Sequence, residues 1–279
     1  MSRLDRGPLL QGTPLRKGAG GGRDGPDGAL KAGADKLPSV TFVFWVLKIC
    51  ATTLGETAGD LLSMTLRIGY AAATGLLLGV FVATLAGQLL SRRHRPWLFW
   101  SVILSTSTAG TTMSDFIDRS LGLGYALGSG ILLALLLTSL LVWKRVEGSI
   151  SVGGIRTFRA ELLYWITILF SNTLGTALGD FLADDSGLGF AGGAGAIGVL
   201  LAATFLLYRF TGVSRTALFW VAFVLTRPFG ATMGDVLTKP ASAGGLGLGT
   251  AGSSAVLAGI LVGVLFLAGR ALSPGRDRR

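Results

Sequence analysis

Of the 279 residues, half are hydrophobic and only 14% are charged, with a mean hydropathy of +0.62. A water-soluble domain of this length carries far more charge, so the composition excludes an ordinary soluble enzyme or binding module and points to membrane spans of ~20 apolar residues. The net charge of +10 does not signal nucleic acid, because Lys and Arg gather at the termini and in alternate loops, the pattern of membrane topology.

Residues 1–39 contain Gly20, Gly21, Gly22, Arg23, Asp24, Gly25 and Pro26 among few apolar neighbours. No apolar run of leader type follows the basic residues, so a disordered cytoplasmic tail is expected. Eight spans follow, at about 40–62, 67–90, 97–117, 121–143, 161–183, 187–208, 216–238 and 247–269. The single Cys50 lies in the first of them and excludes an intrachain disulfide. Basic residues mark the connections after the second span (Arg92, Arg93, Arg95), the fourth (Lys144, Arg145, Arg156, Arg159) and the sixth (Arg209, Arg215). Arg270, with Arg276, Arg278 and Arg279 of the tail 271–279, marks the C-terminal end. The other connections are short and mixed in charge, with Arg67, Asp118 and Arg119, Asp184 and Asp185, and Lys239. The positive-inside rule then places both termini in the cytoplasm of a multi-pass protein of the cytoplasmic (inner) membrane.

A motif recurs in every odd-numbered span: Trp, Gly ten residues later, and Asp fifteen after the Trp. Its members are Trp45, Gly55, Asp60; Trp100, Gly110, Asp115; Trp165, Gly175, Asp180; and Trp220, Gly230, Asp235. The Trp-to-Trp steps are 55, 65 and 55 residues, so two halves, 40–158 and 159–270, are offset by 120. Copies one and three share Thr-Leu-Gly-x3-Gly-Asp, from Thr53 and Thr173, whereas copies two and four share Leu-Phe-Trp and Gly-x-Thr-Met-x-Asp. A two-helix unit duplicated twice explains this hierarchy. The fold expected is an all-α integral membrane protein of eight transmembrane helices, arranged as four two-helix repeats. Because each repeat has an even number of spans, the repeats are parallel, not inverted. The chain resembles, over about 40–270, a bacterial family of membrane-anchored proteins built from four tandem two-helix repeats with a characteristic Trp. That resemblance implies the architecture and a bacterial membrane, and supplies no activity.

Positions seven, eleven and fifteen after each Trp share one helix face. They read Thr52, Glu56, Asp60; Ser107, Thr111, Asp115; Asn172, Thr176, Asp180; and Arg227, Ala231, Asp235. Such stripes are costly in lipid and are expected to face inward. With Trp near the cytoplasmic interface, the acids lie roughly 22 Å further along at ~1.5 Å per residue. Four parallel repeats around one axis would gather them into a ring, a known device for attracting cations. Carboxylate, hydroxyl and amide oxygens suit Mn²⁺, Mg²⁺, Ca²⁺ or a proton.

The leading expectation is a transporter or channel for a hard, Mn²⁺- or Mg²⁺-like cation, coupled or not to protons. Glu56, Asp60, Asp115, Asp180 and Asp235 are its metal ligands, Thr52, Ser107 and Asn172 supply neutral oxygens, and Arg227 sets the charge balance. Two rivals stand beside it: a scaffold or sensor whose Asp residues cap helices, and an anion or small-organic-solute carrier centred on Arg227. Arg227 is expected either to pair with an acid across the bundle or to act as a tethered counter-cation, and Pro228 to kink its helix. The Trps are expected to anchor at the interface and Lys48 to snorkel toward it. Gly pairs such as Gly75 and Gly79, Gly124 and Gly128, Gly189 and Gly193, and Gly259 and Gly263 are expected to permit close helix contact. The sequence shows no nucleophile, zinc or nucleotide motif, so no enzyme activity and no cofactor are expected. Lipid and a small inorganic cation are the expected partners, and nucleic acid is not among them.

Overall fold

A computed structural model describes residues 38, 40–91, 95–152, 155 and 157–271, with side chains in the last helix to 267. The expected N-terminal tail, almost entirely, and 272–279 lie outside the described residues, as do Arg92, Arg93, His94 and Arg156. Eight α-helices and no strand occur among the described residues: α1 (Phe42–Asp60), α2 (Tyr70–Leu90), α3 (Pro96–Asp115), α4 (Gly124–Glu147), α5 (Phe158–Asp180), α6 (Gly189–Phe210), α7 (Arg215–Thr238) and α8 (Thr250–Ala271). Local chemistry sets their starts. Thr41, Thr157 and Ser214 each accept a hydrogen bond from a first-turn N–H, and Pro96 opens α3 where its missing N–H costs nothing.

The first helix of each of the first three repeats runs past its Asp into a π-helical turn, Leu61–Thr65, Phe116–Ser120 or Phe181–Asp185. The fourth repeat instead leaves its helix at Lys239 and makes a 3₁₀ turn, Ala241–Ala243. Chain reversal then uses left-handed backbone. Gly122 and Gly124, Gly187 and Gly189, and Gly247 and Gly249 all have φ of 67–77°. In the first repeat Arg67, with φ 55°, stands where the others have glycine. The fourth connection is thus longer, and Gly249 rather than Gly244 corresponds to Gly124.

The odd-numbered helices form a closed inner ring, α1 on α3, α3 on α5, α5 on α7 and α7 on α1. Each even-numbered helix packs chiefly on the inner helix of the following repeat: α2 on α3, α4 on α5, α6 on α7, and α8 back on α1. The last contact closes the ring through the Cys50 thiol on the Leu257 carbonyl and the Ser254–Thr57 hydroxyl pair. The motif glycines make the inner ring tight. A Cβ on Gly55 would overlap Ser107, one on Gly110 would press on Asn172, one on Gly175 would overlap Arg227, and one on Gly230 would overlap Thr52. The glycine ten residues after each Trp therefore receives the residue seven after the next Trp, cyclically around the axis.

Two expectations change here. Gly75, Gly79, Gly259 and Gly263 would meet nothing within 4 Å if given a Cβ, and the same is true of Gly124 and Gly189, which serve reversal. Of the four pairs, Gly128 and Gly193 alone meet neighbours, Asp118 and Thr232 with Leu182. Close helix contact belongs instead to the inner helices, because the outer helices touch the bundle along a single edge. The motif Trps are not interface anchors either: Trp100, Trp165 and Trp220 are 3%, 0% and 5% exposed and Trp45 is half-buried. Each pairs with the aromatic before it and with that of a neighbouring repeat. Trp45, Phe44, Trp100, Phe99, Trp165, Tyr164, Trp220 and Phe219 thus close a ring of contacts with centroids 5.0–6.4 Å apart. This aromatic cap seals the end of the bundle where the inner helices begin.

The outer helices turn Leu76, Val82, Leu127, Val199, Phe205 and Val256 outward. Exposed apolar surface on this scale requires lipid. Six helices (α2, α4 to α8) are long and apolar enough to cross a membrane. The remaining two, α1 and α3, are inner helices diluted by Lys48, Glu56 and Asp60 and by a run of Ser and Thr. The protein is a multi-pass helical membrane protein.

Candidate functional site

The inward stripes meet on the axis as successive tiers. Nearest the aromatic cap is Lys48, fully buried, its ammonium 3.4 Å from Asn172 Oδ1 and 4.0 Å from the centre of the Phe223 ring. It does not snorkel: the cap closes the route to the interface and Asn172 offers an oxygen. Asn172 in turn donates to Thr106 Oγ1 at 2.7 Å. Thr52 donates to the Lys48, Ile49 and Thr226 carbonyls and, like Ser107, lies where neighbouring inner helices touch at a glycine. This tier is therefore a helix-packing layer with Lys48 at its centre.

One turn further along, Arg227 crosses the axis with no exposed surface. Its Nη1 donates to Glu56 Oε2 at 2.9 Å, and its Nη2 donates to Thr111 Oγ1 at 2.6 Å, Thr176 Oγ1 at 2.7 Å and the Ser107 carbonyl at 3.2 Å. Thr111 and Thr176 also reach Glu56 Oε2, at 3.2 and 3.3 Å. The position-eleven residues of three repeats thus hold one ion pair. In the fourth that position is Ala231, packed near Gly179.

Beyond this pair come the four acids, all buried. Arg119 binds Asp115 (Nε–Oδ1, 3.1 Å) and Asp180 (Nη2–Oδ2, 3.2 Å). Lys239 binds Asp235 (Nζ–Oδ1, 3.3 Å) and Asp60 (Nζ–Oδ2, 3.5 Å). Both bases stand nineteen residues after their Trp, in copies two and four. Each ties its own Asp to that of the next repeat, so the acid ring has a two-fold pattern within a four-fold frame. Glu56, Asp180 and Asp235 present oxygens that all lie within 4.8 Å of one another. Asp60 and Asp115 belong to the ring but not to that trio.

The DUF347 repeat, a repeat of unknown function, matches four times, at 43–94, 98–149, 163–214 and 218–271. The chain belongs to the DUF347 family. From its Trp to its Asp each inner-ring helix, with the tiers it carries, falls inside a matched repeat, so the site is built from the DUF347 unit itself. No curated protein and no solved structure matches the chain.

All nine candidate residues face the bundle interior, in two groups. Glu56, Arg227 and the four Asp residues form a charged centre, whereas Thr52, Ser107 and Asn172 occupy the tier toward the aromatic cap. Lys48, Arg119 and Lys239 were not expected at the centre. Lys48 was legible, being one turn before Thr52 on the same stripe. Arg119 and Lys239 share a register in alternate repeats, a signal hidden by their place in short mixed-charge connections. Three bases, Arg119, Arg227 and Lys239, are ion-paired with the five axial carboxylates, whereas Lys48 meets Asn172 and the Phe223 ring instead.

Proposed function

We propose that the protein is a carrier for a hard cation in a bacterial inner membrane, with a divalent ion of the Mn²⁺ or Mg²⁺ type as substrate and Glu56, Asp180 and Asp235 as its principal ligands. The observation that carries this reading is the convergence of those three buried carboxylates on the bundle axis. Asp60 and Asp115 supply the remaining negative field. Hard oxygen donors, with neither His nor Cys among them, favour such ions over copper or zinc. The aromatic cap and the buried Lys48 close one end of the axis, which supports a carrier that alternates access over a permanently open channel. The reading includes eight spans in parallel repeats, both termini in the cytoplasm, and no enzymatic chemistry.

A second reading, a non-transporting scaffold or sensor, is favoured by the ion pairs that hold every Asp of the ring. Capping no longer supports it, because Asp60, Asp115 and Asp180 make no side-chain cap bond to the turns they precede. An anion carrier centred on Arg227 is not put forward, since both terminal nitrogens of its guanidinium are engaged.

Uptake of Mn²⁺ into proteoliposomes separates carrier from scaffold. The wild-type protein should move Mn²⁺, and Asp180→Asn should reduce the flux at least tenfold while remaining folded. No flux above empty vesicles for correctly inserted wild type would exclude the carrier.

A further inference from the structure

Arg119 and Lys239 occupy equivalent positions but are held differently. Arg119 adds to its two carboxylates a bond from Nη1 to the Tyr70 hydroxyl at 3.3 Å, and its guanidinium lies 5.9 and 5.8 Å from the centres of the Tyr70 and Tyr125 rings. Those tyrosines stand at the start of the outer helices of repeats one and two; the corresponding residues of repeats three and four are Phe190 and Thr250. Thr250 is bonded to Thr65, and Lys239 has neither a hydroxyl partner nor an aromatic face among the described residues. Its contacts to Asp60 and Asp235, at 3.5 and 3.3 Å, are also longer than those of Arg119.

The backbone at Lys239 is, by contrast, well secured. Its N–H donates to the Asp235 carbonyl and its own carbonyl accepts from Gly247 N–H, both at 2.8 Å. The tether is firm and the ammonium at its end is lightly held. Its side chain is 25% exposed, whereas Asp235, a member of the carboxylate trio, is 3% exposed. Lys239 therefore lies between that trio and the outside, as does Arg119 at 31% exposed beside Asp180, so the two bases differ in how they are held and not in their access.

We propose that Lys239 is a displaceable counter-cation: its ammonium occupies the outer edge of the cation site, and an incoming divalent ion displaces it from Asp235 and Asp60, while Arg119 stays in place as a fixed tie. This rests on the carrier reading above and names the residue that sets access and selectivity at that site. Because a divalent ion brings two charges where the lysine brings one, it competes better than Na⁺ or K⁺ for the same carboxylates.

The test is calorimetric titration of Mn²⁺ into the full-length protein in detergent, with thermal unfolding of each variant measured alongside. Lys239→Gln should bind Mn²⁺ about tenfold more tightly than wild type, the direction expected when a competing charge is removed. Lys239→Arg should keep the wild-type affinity, and Arg119→Gln should chiefly lower the unfolding temperature. Glu56-dependent binding that Lys239→Gln leaves unchanged, or that Arg119→Gln tightens equally, would overturn the displacement role and leave the cation site standing. Absence of Mn²⁺ binding in every folded variant would overturn the cation site itself, and the role of Lys239 with it.

Discussion

At the scale of single residues, the Glu56–Arg227 pair dominates the energetics. Both partners are buried, so removing one strands the other at a cost of roughly 3–5 kcal/mol. Arg227→Met should therefore lower the unfolding temperature sharply. The double variant Glu56→Gln/Arg227→Met should recover most of that loss, because it leaves no lone charge. Thermal unfolding of the two proteins in the same detergent checks this, and an equally unstable double variant would mean the pair is not the cause. The glycines offer a matched comparison. Gly230→Ala places a methyl against the Thr52 side chain and backbone, so α1 and α7 must separate, at about 1–3 kcal/mol. Gly79→Ala adds a methyl to open space in the middle of α2 and should leave the unfolding temperature unchanged or raise it modestly, since alanine loses less backbone freedom than glycine.

The element scale concerns how each inner helix ends and how the chain turns back. Three repeats solve the reversal with glycine in left-handed backbone, and the first uses Arg67 at φ 55° instead. A side chain in that conformation costs roughly 1–2 kcal/mol. Arg67→Gly should thus stabilise the protein modestly, the gain reduced by the greater freedom of glycine in the unfolded chain. Gly124→Ala, at φ 70°, should destabilise it. Opposite shifts in unfolding temperature are expected. If Arg67→Gly proved destabilising, some contact of the arginine would outweigh its backbone strain.

For the whole molecule, the decisive fact is that each outer helix serves the repeat after its own. A single repeat cannot bury its inner helix, and neither half is self-sufficient: α4 of the first half packs on α5 of the second, and α8 of the second packs on α1 of the first. Expressed as separate chains divided at 158/159, the halves should co-purify as a one-to-one complex. Each half alone should aggregate or pair with a copy of itself. A half that behaves as a folded monomer by size-exclusion chromatography would contradict this exchange of helices.

Much of this architecture is written in the sequence. Apolar periodicity located the helices, and the register of Trp, Gly and Asp set the number of repeats and the face each turns inward, because a buried acid in an apolar helix has few tolerable orientations. What pairs with what was not legible there. Whether Trp165 meets lipid or Tyr164 and Phe99, whether Gly79 or Gly55 is the close-contact glycine, and whether Lys48 reaches water depend on which helix lies alongside. Helix periodicity specifies a face but not its neighbour. Only the tertiary structure decides that α8 closes on α1, that Arg227 spans the axis to Glu56, and that Arg119 and Lys239 neutralise the acid ring in opposite pairs. Each base's bond to its own Asp is a local pair four residues apart, but its bond to the Asp of the next repeat, like the Glu56–Arg227 pair, joins residues more than fifty positions apart through packing that no local pattern encodes.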